Sequence, residues 1–402
     1  MARRRIRRLR RAGGLTAVTC VIALSATLMP AHAAPEGQIL GAGDPGSVSG
    51  SYLVTLKGGT KAPSGAGKSL AEKYGAKISH TYGTVLNGYA VRANERQAKR
   101  LAADSRVASV VQDTRVTLDH TQKNPPTWGL DRIDQRNLPL DRSYTWPESV
   151  GAGAGVTVYV IDTGIRISHK DFGGRASYGW DFVGNDRTAG DGNGHGTHVA
   201  GTIAGKQYGV AKKAEVVAVR VLDNAGGGST ADVIAGIDWV TRHARKPAVA
   251  NVSLGGYRNS QLDAAVRNSI ASGVTYTVAA GNDGLPAGRY SPAAVREAIT
   301  VGATDRKDAR AGFSNFGSVL DVFAPGVSIT SASYANDTGK ATYSGTSMAS
   351  PHTAGAAALY LAGHPKAKPA QVSKALVAQA VTGKVSGRGL GSPNKLLQVP
   401  GS

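Results

Sequence analysis

Cysteine is almost missing from this chain: Cys20 is the only one in 402 residues. A single thiol builds neither a disulfide framework nor a cysteine-ligated zinc site. Stability must therefore come from core size and bound ions. Aromatic residues are scarce at 6%, and acidic residues are few, 27 against 47 basic ones, for a formal charge of +20. The basic excess forms no stripe. Seven arginines crowd into the opening "MARRRIRRLRR" and the others are scattered. Nucleic-acid binding wants a basic face with stacking aromatics, so it is not expected. Long apolar runs are lacking too. The longest, "LTAVTCVIALSATLM" (15–29), falls short of the roughly 20 residues a membrane-spanning helix needs.

That run has a different use. A charged start, a short apolar stretch and the triplet Ala31-His32-Ala33 make a secretory signal peptide over 1–33. The flanks of the arginine pairs fit a twin-arginine signal poorly. Cys20 lies inside the apolar run after Thr19, which is wrong for a lipoprotein cysteine. The product is expected to be secreted, with no membrane association once the signal is gone. At 41% hydrophobic residues it can bury a core, and its 53 glycines promise many tight turns.

After an aperiodic lead-in (34–50), "SYLVTL" reads as a strand, "SGAGKSLAEKYG" as a helix, and "AKISHTYG" and "NGYAVRA" as strands. "NERQAKRLAADS" then reads as a helix and "VASVVQDTRVTL" as a strand, giving β-α-β-β-α-β, a ferredoxin-like split unit. "DHTQKNPPTWGL" (119–130) is Pro-rich without periodicity and reads as a domain boundary. Beyond it, apolar runs such as "GVTVYVID", "AEVVAVRVLD", "AVANVSL" and "VTYTVAAG" alternate with helical segments. That pattern is a doubly wound parallel sheet with helices on both faces. In such α/β folds the site gathers at the carboxyl ends of the strands.

Four residues at those ends carry chemistry. Asp162 closes "VYVID", where a turn residue is the plain alternative. His195 stands between glycines in "DGNGHGTHVAG", with His198 three residues on. H-E-x-x-H spacing is absent, which argues against zinc, and His198 reads as a hydrogen-bonded structural histidine. Asn282, in "AAGND", suits either a turn or an amide donor to a developing oxyanion. Ser347, in "YSGTSMASPH", suits either a helix N-cap or a nucleophile beside the positive end of a helix, with Pro351 in the first turn. His352 is the wrong base for it, because five residues of helix put it round the axis and over a turn below. His195, from another strand end, can reach. Ser attacks, His carries the proton, and Asp fixes the His tautomer: serine hydrolysis needs this division of labour.

Together, "VIDTGI", "DGNGHGTHVAG", "NVSLGG" with "AAGND", and "SGTSMASPH" resemble the subtilisin family, its proteinase K-like branch above all. The resemblance runs over about 121–385, and 51–118 resembles the inhibitor-type propeptide of these enzymes. It implies a broad-specificity serine endopeptidase with Ser347 as nucleophile, His195 as base, Asp162 as orienter and Asn282 as oxyanion donor. Gly226, Gly227 and Gly228, with Ser253, Leu254 and Gly255, would pair with an extended substrate strand. The latter three, with Ala279, Ala280 and Gly281, would line a roomy apolar primary pocket. No catalytic cofactor is implied. A structural calcium is, on Asp321 with the backbone carbonyls of Arg296 and Ala298. Departures stand at Val199, where relatives carry cysteine, at Thr230, where an aromatic covers an outer pocket, and at Arg296, where proline is usual.

The expected organisation is a signal peptide (1–33), a propeptide (34–120) and a peptidase domain (121–402), acting as a monomer. Its partners are unfolded or extended polypeptides and its own propeptide as an intramolecular inhibitor. The alternative is a catalytically decayed, secreted peptide-binding or inhibitory protein. An esterase lacks its G-x-S-x-G elbow. A dinucleotide enzyme fails because "GAGAG" (151–155) precedes its strand instead of following one. A serine-carboxyl peptidase would lack "GHGTH".

Overall fold

A computed structural model of the protein describes residues 36–43, 47–114 and 119–399. The expected signal segment lies outside the described residues, as does the end of the strand expected over 107–118. The chain divides into two compact units. In the first, β1 (Ser47–Leu56), α1 (Gly65–Lys73), β2 (Lys77–Tyr82), β3 (Gly88–Arg92), α2 (Glu95–Ala102) and β4 (Val107–Thr114) follow the expected order. The sheet order β2-β3-β1-β4 is that of the ferredoxin-like unit. Asn94 starts α2 with a full capping box: it accepts from the Gln97 N–H and donates its own N–H to the Gln97 side chain. The lead-in is shorter than read from sequence. β1 starts at Ser47, and Leu40 bridges to Val111.

The stretch taken for a bare boundary also holds structure. β5 (Asp119–Lys123) pairs antiparallel with β6 (Ser143–Pro147), and α3 (Trp128–Ile133) begins five residues after β5 ends. Composition hid the strand, because "DHTQK" is polar and its pairing is supplied by a partner some twenty residues on. Arg132 of α3 is wholly buried and makes a bidentate pair with Asp308 (2.7 and 2.9 Å).

The second unit is built on β7 (Thr157–Asp162), β8 (Ala176–Asp181), β9 (Glu215–Arg220), β10 (Ala248–Val252), β12 (Thr275–Ala279), β14 (Ile299–Thr304), β15 (Val322–Pro325), β18 (Val381–Thr382) and β19 (Lys395–Leu396). The strand order is β18-β19-β15-β14-β12-β10-β7-β9-β8. Every pair is parallel except β18 with β19. Two small antiparallel ribbons flank it: β11 (Gly256–Tyr257) with β13 (Tyr290–Ser291), and β16 (Ile329–Ala332) with β17 (Lys340–Tyr343).

The period-2 alternation of a strand explains the two cores. In β7, Val158 and Val160 join one core with residues of α4 (His195–Ala204) and α7 (Thr346–Gly363). Tyr159 and Ile161 join the other, with residues of α5 (Thr230–His243) and α6 (Ser260–Ala271). A sheet buried on both faces has to read as continuous apolar runs, as these strands do. α8 (Pro369–Gln379) adds Val372 and Leu376 to the first core. The small-residue stretch of α7 lets it lie close to its neighbours. A Cβ on Gly355 would come within 2.5 Å of Val210 Cβ. Among the described residues no helix is long and apolar enough to cross a membrane.

Candidate active site

Asp162 is the last residue of β7 and is wholly buried. Its Oδ1 accepts the Thr163 N–H (2.8 Å) and lies 2.7 Å from His195 Nδ1. A carboxylate can only accept, so Nδ1 carries the proton and Nε2 of the neutral ring is left as a base. His195 is the first residue of α4, and its loop is fixed from beneath. Asp191 Oδ1 accepts from Thr163 Oγ1 (2.9 Å) and from the N–H groups of Asn193 (3.0 Å) and Gly194 (2.8 Å). Its Oδ2 accepts the N–H (2.9 Å) and hydroxyl (2.5 Å) of Thr197. The glycine after the histidine answers to the same crowding: a Cβ on Gly196 would sit 2.1 Å from Gly164 O. Burial pulls the His195 pKa down, but the charge and hydrogen bond of Asp162, helped by Asp191, outweigh it and hold it above the ordinary imidazole value.

The neighbouring histidines are of another kind. His198 Nε2 meets the Ile329 carbonyl (3.0 Å) and its ring stacks on Tyr343, while burial lowers its pKa to about 4. His352 is buried in α7 with Nδ1 on the Met348 carbonyl (2.8 Å), and burial holds it at about 4.

α7 starts at Thr346 with Gly345 as its cap, so Ser347 lies inside the first turn and is not the N-cap. Pro351 is the sixth helical residue, deeper than the first turn where the sequence reading put it. Ser347 Oγ donates to the Ser253 carbonyl (2.9 Å) and not to His195. Asn282 follows β12. Its Oδ1 accepts both the N–H (2.8 Å) and the hydroxyl (2.9 Å) of Thr346, which leaves its amide N–H groups as the side on offer. Thr346 Oγ1 also accepts the Gly281 N–H (3.1 Å). A Cβ on Gly345 would lie 3.6 Å from both Asn282 Nδ2 and Ser347 N. Two N–H donors therefore flank one small space beside Gly345.

Two cavities meet along residues 253–256. The first, of about 380 Å³, is lined by Ser253, Leu254, Gly255, Ala279, Ala280, Gly281, Asn282 and Ser347. The second, of about 610 Å³, is lined by His195, Gly226, Gly227, Gly228, Thr230 and the same 253–256 segment. All nine substrate residues expected from sequence thus line one continuous cleft beside His195 and Ser347. The first cavity is less apolar than expected, because Asp283 and Tyr290 line it too, with Tyr257 stacked on Tyr290. A further cavity, of about 700 Å³ beside Trp128 and Arg142, contains none of these residues.

Away from the cleft, Asp321 sits just before β15, with Oδ2 accepting the Thr300 N–H (2.8 Å). Burial raises its pKa to about 6, against the opposing pull of that N–H and of the Arg296 charge. Ala298 is buried one residue before β14, and the Arg296 side chain reaches the Ser318 carbonyl.

The subtilase family model matches residues 153–396, and that of the peptidase inhibitor I9 family matches 51–119. An extracellular serine proteinase of Thermus sp. (strain Rt41A) is 47% identical over 410 residues, spanning 96% of this chain and 99% of that protein. The alkaline serine exoprotease A of Vibrio alginolyticus is 50% identical over 329 residues, spanning 81% of this chain and 60% of that protein. The crystal structure of a cold-adapted subtilisin-like serine proteinase superposes with a TM-score of 0.66 at 53% identity, covering 68% of this chain and 98% of that one. The chain belongs to the subtilase family. It is a secreted subtilisin-like serine endopeptidase, made as an autoprocessed precursor with an I9-type inhibitor propeptide.

Sequence reasoning missed Asp191, Thr346, Asn251 and the inward role of the Ser253 side chain. An aspartate before a Gly-rich turn was a usable signal for the first. Nothing local marks the others, whose partners come mostly from segments distant in sequence.

The structure predicts that His195 titrates above the ordinary imidazole value, and that in Asp162→Ala its pKa falls, since burial is then opposed only by the charge of Asp191. Imidazole NMR titration reads both. An unchanged His195 pKa in the variant would contradict the stated balance.

Proposed function

We propose that Ser347 is the nucleophile, His195 the general base and acid, Asp162 the orienting carboxylate and Asn282 a donor to the oxyanion, in an endopeptidase of broad specificity. One observation carries this reading. The Asp162–His195 pair at 2.7 Å and the Ser347 hydroxyl open onto one cleft formed by segments 226–228, 253–255 and 279–281. An extended peptide adds its backbone between the first two segments, so affinity comes mostly from main-chain bonds and tolerates many side chains. Ser347 Oγ turns from Ser253 to His195 Nε2, gives up its proton and attacks the scissile carbonyl. The oxyanion forms between Ser347 N–H and Asn282 Nδ2–H, and loss of such a donor costs ~10²–10³ in turnover. His195 returns the proton to the leaving amine, and water completes hydrolysis by the same route.

The expected processing point is the His120–Thr121 bond, separating 34–120 from 121–402, with the mature protein a monomer. In the uncut chain this bond lies within β5, whose residues on both sides pair with β6. A substrate held on both edges by the cleft cannot also stay in that ribbon, so β5 must leave β6 before it is cut. Casein hydrolysis should disappear in Ser347→Ala. That variant should accumulate a chain from about residue 34 to 402, while wild type starts at Thr121. N-terminal sequencing decides it, and normal processing of Ser347→Ala in a protease-free preparation would sink the self-cleavage.

A structural calcium suits Asp321. Its buried carboxyl is held against its charge by desolvation, and no ion pair within 4.0 Å is found for it among the described residues. A hard cation takes carboxylate and carbonyl oxygens, here those of Asp321 with the backbone of Arg296 and Ala298 and water. Calcium should raise the melting temperature of the mature protein, and Asp321→Asn should blunt the rise. Identical melting in excess calcium and in chelator would count against the site.

A further inference from the structure

α7 places a proline where Ser347 needs a donor. In an α-helix the carbonyl of residue 347 would accept the N–H of residue 351, and Pro351 has none. The Ser347 carbonyl is nonetheless satisfied. Ser253 Oγ lies 2.9 Å away and donates to it. The direction is fixed by a second contact: Asn251 Nδ2 donates to Ser253 Oγ (2.9 Å), so the single hydroxyl proton of Ser253 is left for Ser347. Asn251 is anchored in turn, its Oδ1 accepting from Ser350 Oγ (2.8 Å) and Thr277 Oγ1 (3.1 Å). Asn251, Thr277 and Ser350 are wholly buried, and Ser253 is 3% exposed. At the same time the Ser253 carbonyl accepts from Ser347 Oγ. Residue 253 thus grips Ser347 by its carbonyl and by its side chain.

We propose that the Ser253 side chain, aimed by Asn251, is a positioning residue for catalysis: it takes over the helical bond that Pro351 deletes and so fixes the Ser347 backbone in register with the substrate strand. The chain of cause runs from β10, which carries Asn251, through Ser253 on the cleft wall, to the first turn of α7. With the helical bond absent, the orientation of Ser347 is set by the segment that binds substrate and not by the rest of its helix. Without the Ser253 hydroxyl, the Ser347 carbonyl loses that partner in a part-buried place, and the turn must shift to find another. A shift of the nucleophile and its N–H lowers the rate of attack without altering the strand that holds the peptide.

The proposal rests on Ser347 being the nucleophile, so wild type is first labelled with a fluorophosphonate and the adduct mapped. An adduct elsewhere ends both readings together. With the adduct on Ser347, a double-mutant cycle tests the positioning alone. Ser253→Ala should lower kcat and the rate of fluorophosphonate inactivation about tenfold, with KM within about twofold, as expected for an orphaned acceptor at the nucleophile. Ser253→Thr, which keeps a hydroxyl, should recover most of the loss. Pro351→Ala restores the helical N–H, so in that background Ser253→Ala should cost about threefold or less, since coupled sites depart from additivity. The double variant should fold even where Ser253→Ala alone does not. Equal losses in both backgrounds, a loss confined to KM, or failure of the double variant to fold would overturn the proposal.

Discussion

A carboxylate with no exposure to water is the constraint on which this site depends. An isolated buried charge is costly, so Asp162 is tolerable only where its partners are already in place. They are the Thr163 N–H and the His195 ring, both on Oδ1. The position of Asp162 is set in turn by β7, whose alternate residues fill the cores on either face of the sheet. Moving the strand by one residue would exchange those two faces and swing the carboxylate away. The packing of the whole sheet is thus what holds the histidine in its basic tautomer.

The other reacting groups hang on the same frame by separate routes. His195 is held by Asp191, which gathers Thr163, Asn193, Gly194 and Thr197 around one carboxylate. Asn282 is aimed by Thr346, so its amide N–H side, the proposed oxyanion donor, is oriented by the residue next to Ser347. Ser347 is held by Ser253 from the wall of the cleft. The supports come from a loop leading into a helix, a helix start and the segment after a strand, all beside the same edge of the sheet. One edge can therefore assemble four residues spread from 162 to 347.

How much of this was legible beforehand follows from the range of each interaction. β7, β9, β10 and β12 are continuous apolar runs, and a sheet covered on both faces permits little else, so the fold could be read directly. Asp162 closes an apolar strand, His195 and Asn282 adjoin glycines, and Ser347 follows Gly345 at the start of a helix, which made them visible as chemistry. β5 was missed because its residues are polar and only its pairing with β6 makes it a strand. Pro351 was placed one turn too shallow because the helix begins at Thr346, where Gly345 and not a serine is the cap. The alanines and glycines of 253–255 and 279–281 suggest an apolar primary pocket, while the cavity they line also holds Asp283 and Tyr290, from beyond those segments.

The central claim is a covalent one: during turnover the acyl group of the substrate is carried on Ser347 Oγ. The direct measurement is to quench the mature enzyme in acid while it hydrolyses a slowly deacylating peptide ester, then map the added mass by peptide fragmentation. The account predicts one acyl group per enzyme, on the peptide containing Ser347. Steady turnover of that ester with the acyl group on any other residue, or with none bound under conditions where deacylation limits the rate, would contradict it.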